Sequence, residues 1–318
     1  VTFGVPAVLD KIVIALAECG VNKAMLNTVL TGTSAAVLHE NGYQTVALIH
    51  EMRASCAICD AHNQSKLLAH YADVVVFPAQ CVHLDFERFV GGSVCGKVVI
   101  QPQGLYKKET VTDRQSSAKA IRTRLGFPEN SRLIVSAGSL NFGKGADLLP
   151  LLAKELARQD AELAGTVQFV WLGSAAETSF PAWLLVQIEK MELSGCIHFP
   201  GFFENEKEYM ACLAGADVFL LPSREDSMPS VLLEAMAAGT PTLAFCKSGG
   251  ADELLRGDCG VLTPFCDLQQ MAQQLCRLLR DEPFARQIAE NAKLRQQSAL
   301  SFDGYVDLLA AEFERAGD

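Results

Sequence analysis

Long apolar runs are missing from this chain. The stretches at 74–77, 98–100, 133–135 and 218–221 each stop after a few residues, far short of the roughly 20 that a spanning helix needs. The expectation is a soluble protein with at most peripheral membrane contact. Basic charge is scarce as well: 27 Lys and Arg stand against 37 Asp and Glu, a formal net charge of −10. A nucleic-acid backbone as main partner requires a clustered basic face, so no nucleic-acid partner is expected. No fixed-period repeat and no low-complexity segment is visible. No secretory leader is apparent, and the 11 cysteines are odd in number and irregularly spaced. Free thiols in a reducing compartment follow, and a cytoplasmic location is expected.

Metal ligation is weakly supported. Cys56, Cys59 and His62 have metal-like spacing, and Cys81 and His83 follow. A structural zinc site usually shows a second close pair at defined spacing, whereas 81–83 reads as the start of a helix. The chain also has no Asp-x-Asp triplet. No bound metal is expected.

With 318 residues and 49% apolar content, the chain can bury two ordinary cores. Its first residue is Val, and 8–17 is already an amphipathic segment, so the sequence reads as a fragment. Short β-type runs then alternate with helical stretches: 24–30, 34–40, 45–49, a helical region to His70, 74–77, 82–89 and 98–100. Continuous apolar strands separated by helices mark a parallel sheet covered on both faces. Residues 107–115 are polar and charged, and 116–125 reads as a helix leading into a second, clearer series. Strands are expected at 133–137, 167–172, 197–199, 218–221, 241–245 and 260–262. Helices are expected at 146–159, 182–192, 206–214, 230–238, 251–255 and 268–279. Six strands alternating with helices make a complete Rossmann-like domain. The fold class is therefore α/β with two Rossmann-like domains, the first incomplete: 1–115, 116–300, and a terminal segment 301–318.

Two segments carry chemistry. Gly138-Ser-Leu-Asn-Phe-Gly-Lys144-Gly145 follows a strand and precedes a helix with the spacing of a P-loop, whose backbone amides cradle phosphates. A P-loop places Ser or Thr after the Lys to hold magnesium; Gly145 stands there instead, which disfavours an ATPase or GTPase. Phosphate binding by Lys144 and the helix start near Ala146 remains, beside the simpler reading of a Gly-rich turn with a solvated Lys. The second segment runs Leu221-Pro-Ser-Arg-Glu225-Asp226-Ser227-Met228-Pro229-Ser230-Val-Leu-Leu-Glu234-Ala-Met-Ala-Ala-Gly239-Thr-Pro-Thr. A strand ends at Leu221, a turn exposes backbone amides around Ser227 to Ser230, and a helix begins with its positive end toward any ligand.

This string resembles the acidic motif of the large retaining glycosyltransferase family, which includes sucrose synthases, mannosyltransferases and lipopolysaccharide glucosyltransferases. The resemblance implies the GT-B architecture, a nucleotide-diphosphate sugar as donor substrate and no further cofactor. It implies that Glu234 accepts from the donor ribose hydroxyls and that Asp226 contacts the donor sugar, with Glu225 able to share that role. Lys144-Gly145 sits where the family binds the donor diphosphate, and Gly249-Gly250 where a loop closes over the nucleotide. Gly201 and Leu172-Gly173 match strand ends of the family, and Pro102-Gln-Gly104 resembles its linker. Residues 302–313 resemble the helix that crosses back to the first domain. His50, after the strand at 45–49, stands near a His that the family keeps close to donor sugar and acceptor; a capped surface His is the simpler alternative.

Departures are equally specific. Ser139 replaces the usual Arg of the diphosphate clamp, and losing one charge-assisted contact costs about 1.5–3 kcal/mol. Asp226 replaces the commoner Glu. Relatives also begin with strands and a Gly-rich loop that are absent before Val8. The implied activity is retaining, metal-independent transfer to a glycan, lipid-linked or small-molecule acceptor, in polysaccharide biosynthesis or a related pathway. A nucleotide-sugar epimerase of the same architecture and a catalytically degenerate nucleotide-binding module remain as alternatives.

Overall fold

The computed structural model describes residues 6–106, 113–174 and 179–315. The chain divides into two compact units, Val1–Gln103 with Phe302–Asp318, and Gly104–Ser301.

The first unit holds four parallel strands in sequential order: β1 (Lys23–Asn27), β2 (Gln44–Leu48), β3 (Val74–Phe77) and β4 (Lys97–Ile100). Parallel neighbours need crossover helices, and right-handed crossovers between successive strands gather those helices on one face. The helices are Gly32–Glu40, Arg53–Ile58 with His62–Tyr71, and Gln80–Val90. The other face needs separate cover. Val46 and Leu48 on β2, and Val74 and Val76 on β3, share it by the two-residue repeat of a strand. Tyr305 and Leu309 of helix Phe302–Arg315 pack on them. Each such buried side chain contributes about 1.5–3 kcal/mol. Lys97 Nζ anchors the same helix with a 2.5 Å bond to the buried Glu312.

The second unit holds β5 (Arg132–Ala137), β6 (Val167–Leu172), β7 (Ile197–Gly201), β8 (Val218–Leu221), β9 (Thr242–Phe245) and β10 (Val261–Thr263), all parallel. Their spatial order is β10-β9-β8-β5-β6-β7, so the winding direction reverses between β5 and β8. Alternate residues feed two cores. Leu133, Val135, Phe219 and Leu221 face one; Ile134, Val218, Leu220 and Trp171 face the other. The crossover helices are therefore needed on both sides of the sheet.

The expected strands and helices are present within a few residues at each end, with some differences, among them a short unanticipated helix at Ala161–Ala164. The run expected at 24–30 ends as a strand at Asn27 and turns into a 3-10 helix, Val29–Thr31. Helix Glu282–Ala299 was not anticipated, although Asp281 caps it by accepting from Phe284 N and Pro283 occupies its first turn; Pro fits there because that position needs no amide donor. The two compact units divide between Gln103 and Gly104. Leu105 N donates to Leu300 O and Leu105 bridges Ser301, which ties this stretch to the second unit. Residues 107–112 of the polar stretch lie outside the described residues. No described helix is long and apolar enough to cross a membrane.

Candidate functional site

In an open parallel sheet, the point where strand order reverses leaves a crevice outside the carboxyl ends of the strands. Here that point lies between β5, which runs into Gly138-Ser139, and β8, which runs into Pro222. Three loops meet there. Arg224 N donates to Gly143 O at 2.7 Å and Glu225 N to the same oxygen at 3.3 Å, joining the loop after β8 to the loop after β5. On the other side Asp226 N donates to Ser248 O at 2.8 Å and Gly250 N to Asp226 O at 3.0 Å. The segment 224–226 is thus held between the loops that carry Lys144 and Gly249.

Two of these approaches exclude a side chain. Gly145 has φ +76°, and a Cβ there would lie 2.0 Å from Pro222 O. A Cβ on Gly250 would lie 2.4 Å from Ser227 O. Gly145, where a P-loop would have its magnesium-binding hydroxyl, therefore serves loop contact.

The charged groups pair. Lys144 Nζ lies 2.6 Å from Oδ2 of Asp226, which is 8% exposed. Arg224 makes two bonds to Asp147, at 2.8 and 2.9 Å, donates to Phe142 O at 2.7 Å, and stacks over the Phe142 ring at 3.8 Å. The Asp147 carboxylate raises the Arg224 pKa further. Glu234, 2% exposed, accepts from Tyr209 Oη at 2.5 Å. Burial, with the Glu234 charge beside it, pushes the Tyr209 phenol far above its ordinary pKa and keeps it a donor. Helix Ser230–Ala237 starts after Pro229 with no side-chain cap, leaving its first turn electropositive.

A cavity of about 580 Å³ opens beside Tyr209, Glu234 and the start of helix Ser230–Ala237, within the range of small-molecule sites. Ser139, Ser230 and Glu234 line it, together with Tyr209, Phe202 and Phe203. No Lys or Arg is among its described lining residues; Glu204 and Glu206 are.

The glycosyl transferases group 1 family matches residues 117–295, more than half of the chain. The chain belongs to this family. It is 28% identical to the lipopolysaccharide glucosyltransferase WaaG of Escherichia coli over 198 residues, which are 61% of this chain and 50% of that protein. It is 28% identical to the D-inositol 3-phosphate glycosyltransferase of Corynebacterium aurimucosum over 172 residues, 54% of this chain and 40% of that one. The chain thus spans about half the length of the curated relatives it matches. Among solved structures, the Anabaena protein Alr3699/HepE in complex with UDP superposes with a TM-score of 0.77 at 22% identity, covering 97% of this chain and 82% of that one. The two Rossmann-like units are those of GT-B folds.

In this member of the family, the expected site residues fall in two clusters and one separate place. Ser139, Ser230 and Glu234 share the cavity. Lys144, Gly145, Glu225, Asp226 and Ser227 meet at the loop junction, where Met228 packs against the second-unit core and Pro229 opens the helix. His50 lies in the first unit, directly after β2. Its backbone N donates to Glu51 Oε2 at 3.1 Å, and burial lowers its pKa, with the Glu51 charge opposing. Glu51 also takes Val29 N at 3.3 Å and the Thr28 hydroxyl. Thr28 has φ +105°, an unfavourable backbone for a β-branched residue that persists only where its surroundings enforce it. Among the described residues no three His, Cys, Asp or Glu side chains converge as metal ligands.

Sequence reasoning missed Tyr209 and Arg224. Arg224 sits next to the quoted acids, and its adjacency was the available signal. Nothing in the spacing of Tyr209 links it to Glu234.

Proposed function

We propose that the second unit binds the nucleotide-diphosphate sugar donor and that the whole protein transfers its sugar, with retention and without a metal, to an acceptor hydroxyl. The observation that carries this reading is that the Lys144–Asp226 pair and the cavity lined by Ser139, Ser230 and Glu234 both lie on loops at the carboxyl edge where β5 and β8 part. Lys144 and the uncapped first turn at Ser230 supply positive charge for a diphosphate, and charge stabilisation of the leaving group is the main catalytic demand. Glu234, oriented by Tyr209, supplies acceptors for ribose hydroxyls. Asp226, with Glu225 beside it, contacts the donor sugar, and His50 is a further candidate for a sugar contact. The bond from the sugar to the diphosphate breaks as the acceptor oxygen attacks the same face; the acceptor proton leaves with the departing phosphate. The acceptor is a glycan, a lipid-linked sugar or a small molecule, the location cytoplasmic and the pathway polysaccharide biosynthesis. The family match does not favour the epimerase alternative.

The test is calorimetric titration with UDP, GDP and ADP in the presence of a chelator, beside Glu234→Ala. Binding of one nucleotide that the variant loses supports the donor site and names the base. A second reading, a degenerate binding module, draws on Ser139 and on the absence of Lys and Arg from the described cavity lining: nucleotide binding without turnover of the nucleotide sugar would favour it. Absence of binding to any nucleotide would remove the donor-site assignment for this chain.

A further inference from the structure

At the amino ends of β5, β8 and β9, the edge of the second sheet opposite the candidate donor site, lies another cavity of about 570 Å³. Pro241, Leu278 and Leu279 give it an apolar wall, and its charged lining is mostly basic: Arg114, Arg132, Arg280, Arg286 and Lys293 against Asp217, Glu282 and Glu290. That balance runs against a chain of net charge −10.

Most of these charges are already paired. Asp217 takes Arg122 at 2.5 Å and Arg132 at 3.0 Å, and accepts from Leu133 N at 2.8 Å. Arg280 turns to Asp160 at 2.6 Å, and Arg286 to Glu282 at 2.5 Å. Arg114 and Lys293 differ. Among the described residues neither has a carboxylate at ion-pair distance. Arg114 is fixed by two backbone carbonyls, donating to Gly239 O at 2.7 Å and to Ala216 O. Lys293 reaches the same glycine, its Cδ 3.7 Å from where a Gly239 Cβ would stand. Both side chains therefore reach Gly239 with no ion-pair partner among the described residues, the Asp217 charge acting on Arg114 only from a distance. A guanidinium has five N–H donors, so Arg114 keeps several for a ligand after binding two carbonyls. Like charges held together in a concave, partly apolar site repel one another and raise the local concentration of anions.

We infer that this cavity is a second ligand site, for a small phosphorylated organic molecule. Its phosphate sits between Arg114 and Lys293, and its body lies on Pro241 and Leu278. The site is independent of the donor-site reading, since none of its residues belongs to that cluster. A phosphate monoester could also arrive as a lipid headgroup; the concave site with its apolar wall of Pro241, Leu278 and Leu279 favours a free molecule.

The test is calorimetric titration of glycerol 3-phosphate into the wild-type chain, Lys144→Ala, Lys293→Glu and Lys293→Gln, with vesicles containing phosphatidic acid as a second probe. Lys293→Gln serves if the charge reversal impairs folding, which thermal melting reports. The expected result is saturable binding that Lys144→Ala leaves unchanged and that both Lys293 variants weaken at least about tenfold, the scale of one lost charge-assisted contact. Four results overturn it: no saturable binding to the wild type, binding indifferent to Lys293, binding abolished by Lys144→Ala, or Lys293-dependent binding to the vesicles alone.

Discussion

The Tyr209 phenol donates a 2.5 Å hydrogen bond to Oε2 of Glu234, and both side chains are buried. An acceptor that loses its donor inside a protein keeps the cost of having left water, about 1–3 kcal/mol. Tyr209→Phe removes only the hydroxyl and keeps the ring in its packing. It is expected to lower the unfolding free energy by that amount, seen as a lower urea midpoint with an unchanged slope, and to weaken nucleotide binding because Glu234 loses this orienting bond. Equal midpoints and equal affinities for the two proteins would refute a positioning role for Tyr209.

In the proposed donor site Lys144 acts on phosphate and not on the nucleoside. Lys144→Ala is expected to weaken binding of the cognate nucleoside diphosphate by about 1.5–3 kcal/mol, on the order of ten- to more than a hundredfold. The affinity for the corresponding nucleoside, which has no phosphate, should stay the same. The variant also leaves Asp226 without the ammonium 2.6 Å away, so a modest loss of stability accompanies it. If nucleoside and nucleotide weaken equally, Lys144 acts through the fold.

Arg224 joins the loop bearing Lys144 to the loop bearing Asp226 through Asp147, Phe142 O and the Phe142 ring. Arg224→Ala is expected to raise the donor Kd several-fold while melting changes little, because the residue is partly exposed and such pairs are worth about 0–1 kcal/mol. Arg224→Lys should not restore affinity, since an ammonium cannot make the paired bonds or stack as a guanidinium does. Full rescue by Lys would reduce the role to charge alone.

The alternation of strands and helices was legible because strands buried on both faces, such as 133–137 and 218–221, leave continuous apolar runs that few other structures require. The acids Asp226 and Glu234 were legible because both lie within one strand-turn-helix segment, where spacing fixes position. Tyr209 was not: its contact with Glu234 joins helix Glu206–Gly215 to helix Ser230–Ala237, and only packing decides which residues of two helices face each other. The division between Gln103 and Gly104 was not legible for a similar reason. Polarity marked 107–115, but the division is set by pairing of Leu105 with residues near 300, a partnership far apart in sequence.

Gly145→Ala tests whether the close approach of the two loops matters. The new Cβ would lie 2.0 Å from Pro222 O at a residue with φ +76°, so both space and backbone conformation oppose it. A non-glycine residue at positive φ costs about 1–2 kcal/mol from the backbone alone, and the loops must also separate. Nucleotide affinity should fall further than in Arg224→Ala, because the loop shift carries Lys144 away from Asp226. A variant with wild-type melting and affinity would show that the loop adapts freely.

His50 gives the first unit a pH dependence whose sign follows from its burial. Its folded pKa lies below the ordinary 6.5, since leaving water disfavours the imidazolium more than Glu51 favours it. Between the folded and unfolded values the unfolded chain binds the extra proton, so stability rises with pH across that window. The contribution is complete above about pH 6.5 and is lost as pH falls through the folded pKa. His198 shifts in the same direction in the second unit, so global unfolding would mix the two. Hydrogen exchange of the β2 and β3 amides, compared at the same pH in the wild type and His50→Gln, isolates the first unit. Relative to its own protection at neutral pH, the wild type should lose more protection than His50→Gln as the solution is acidified. Parallel losses in the two proteins would mean that carboxylates, not His50, set the acid sensitivity of this unit.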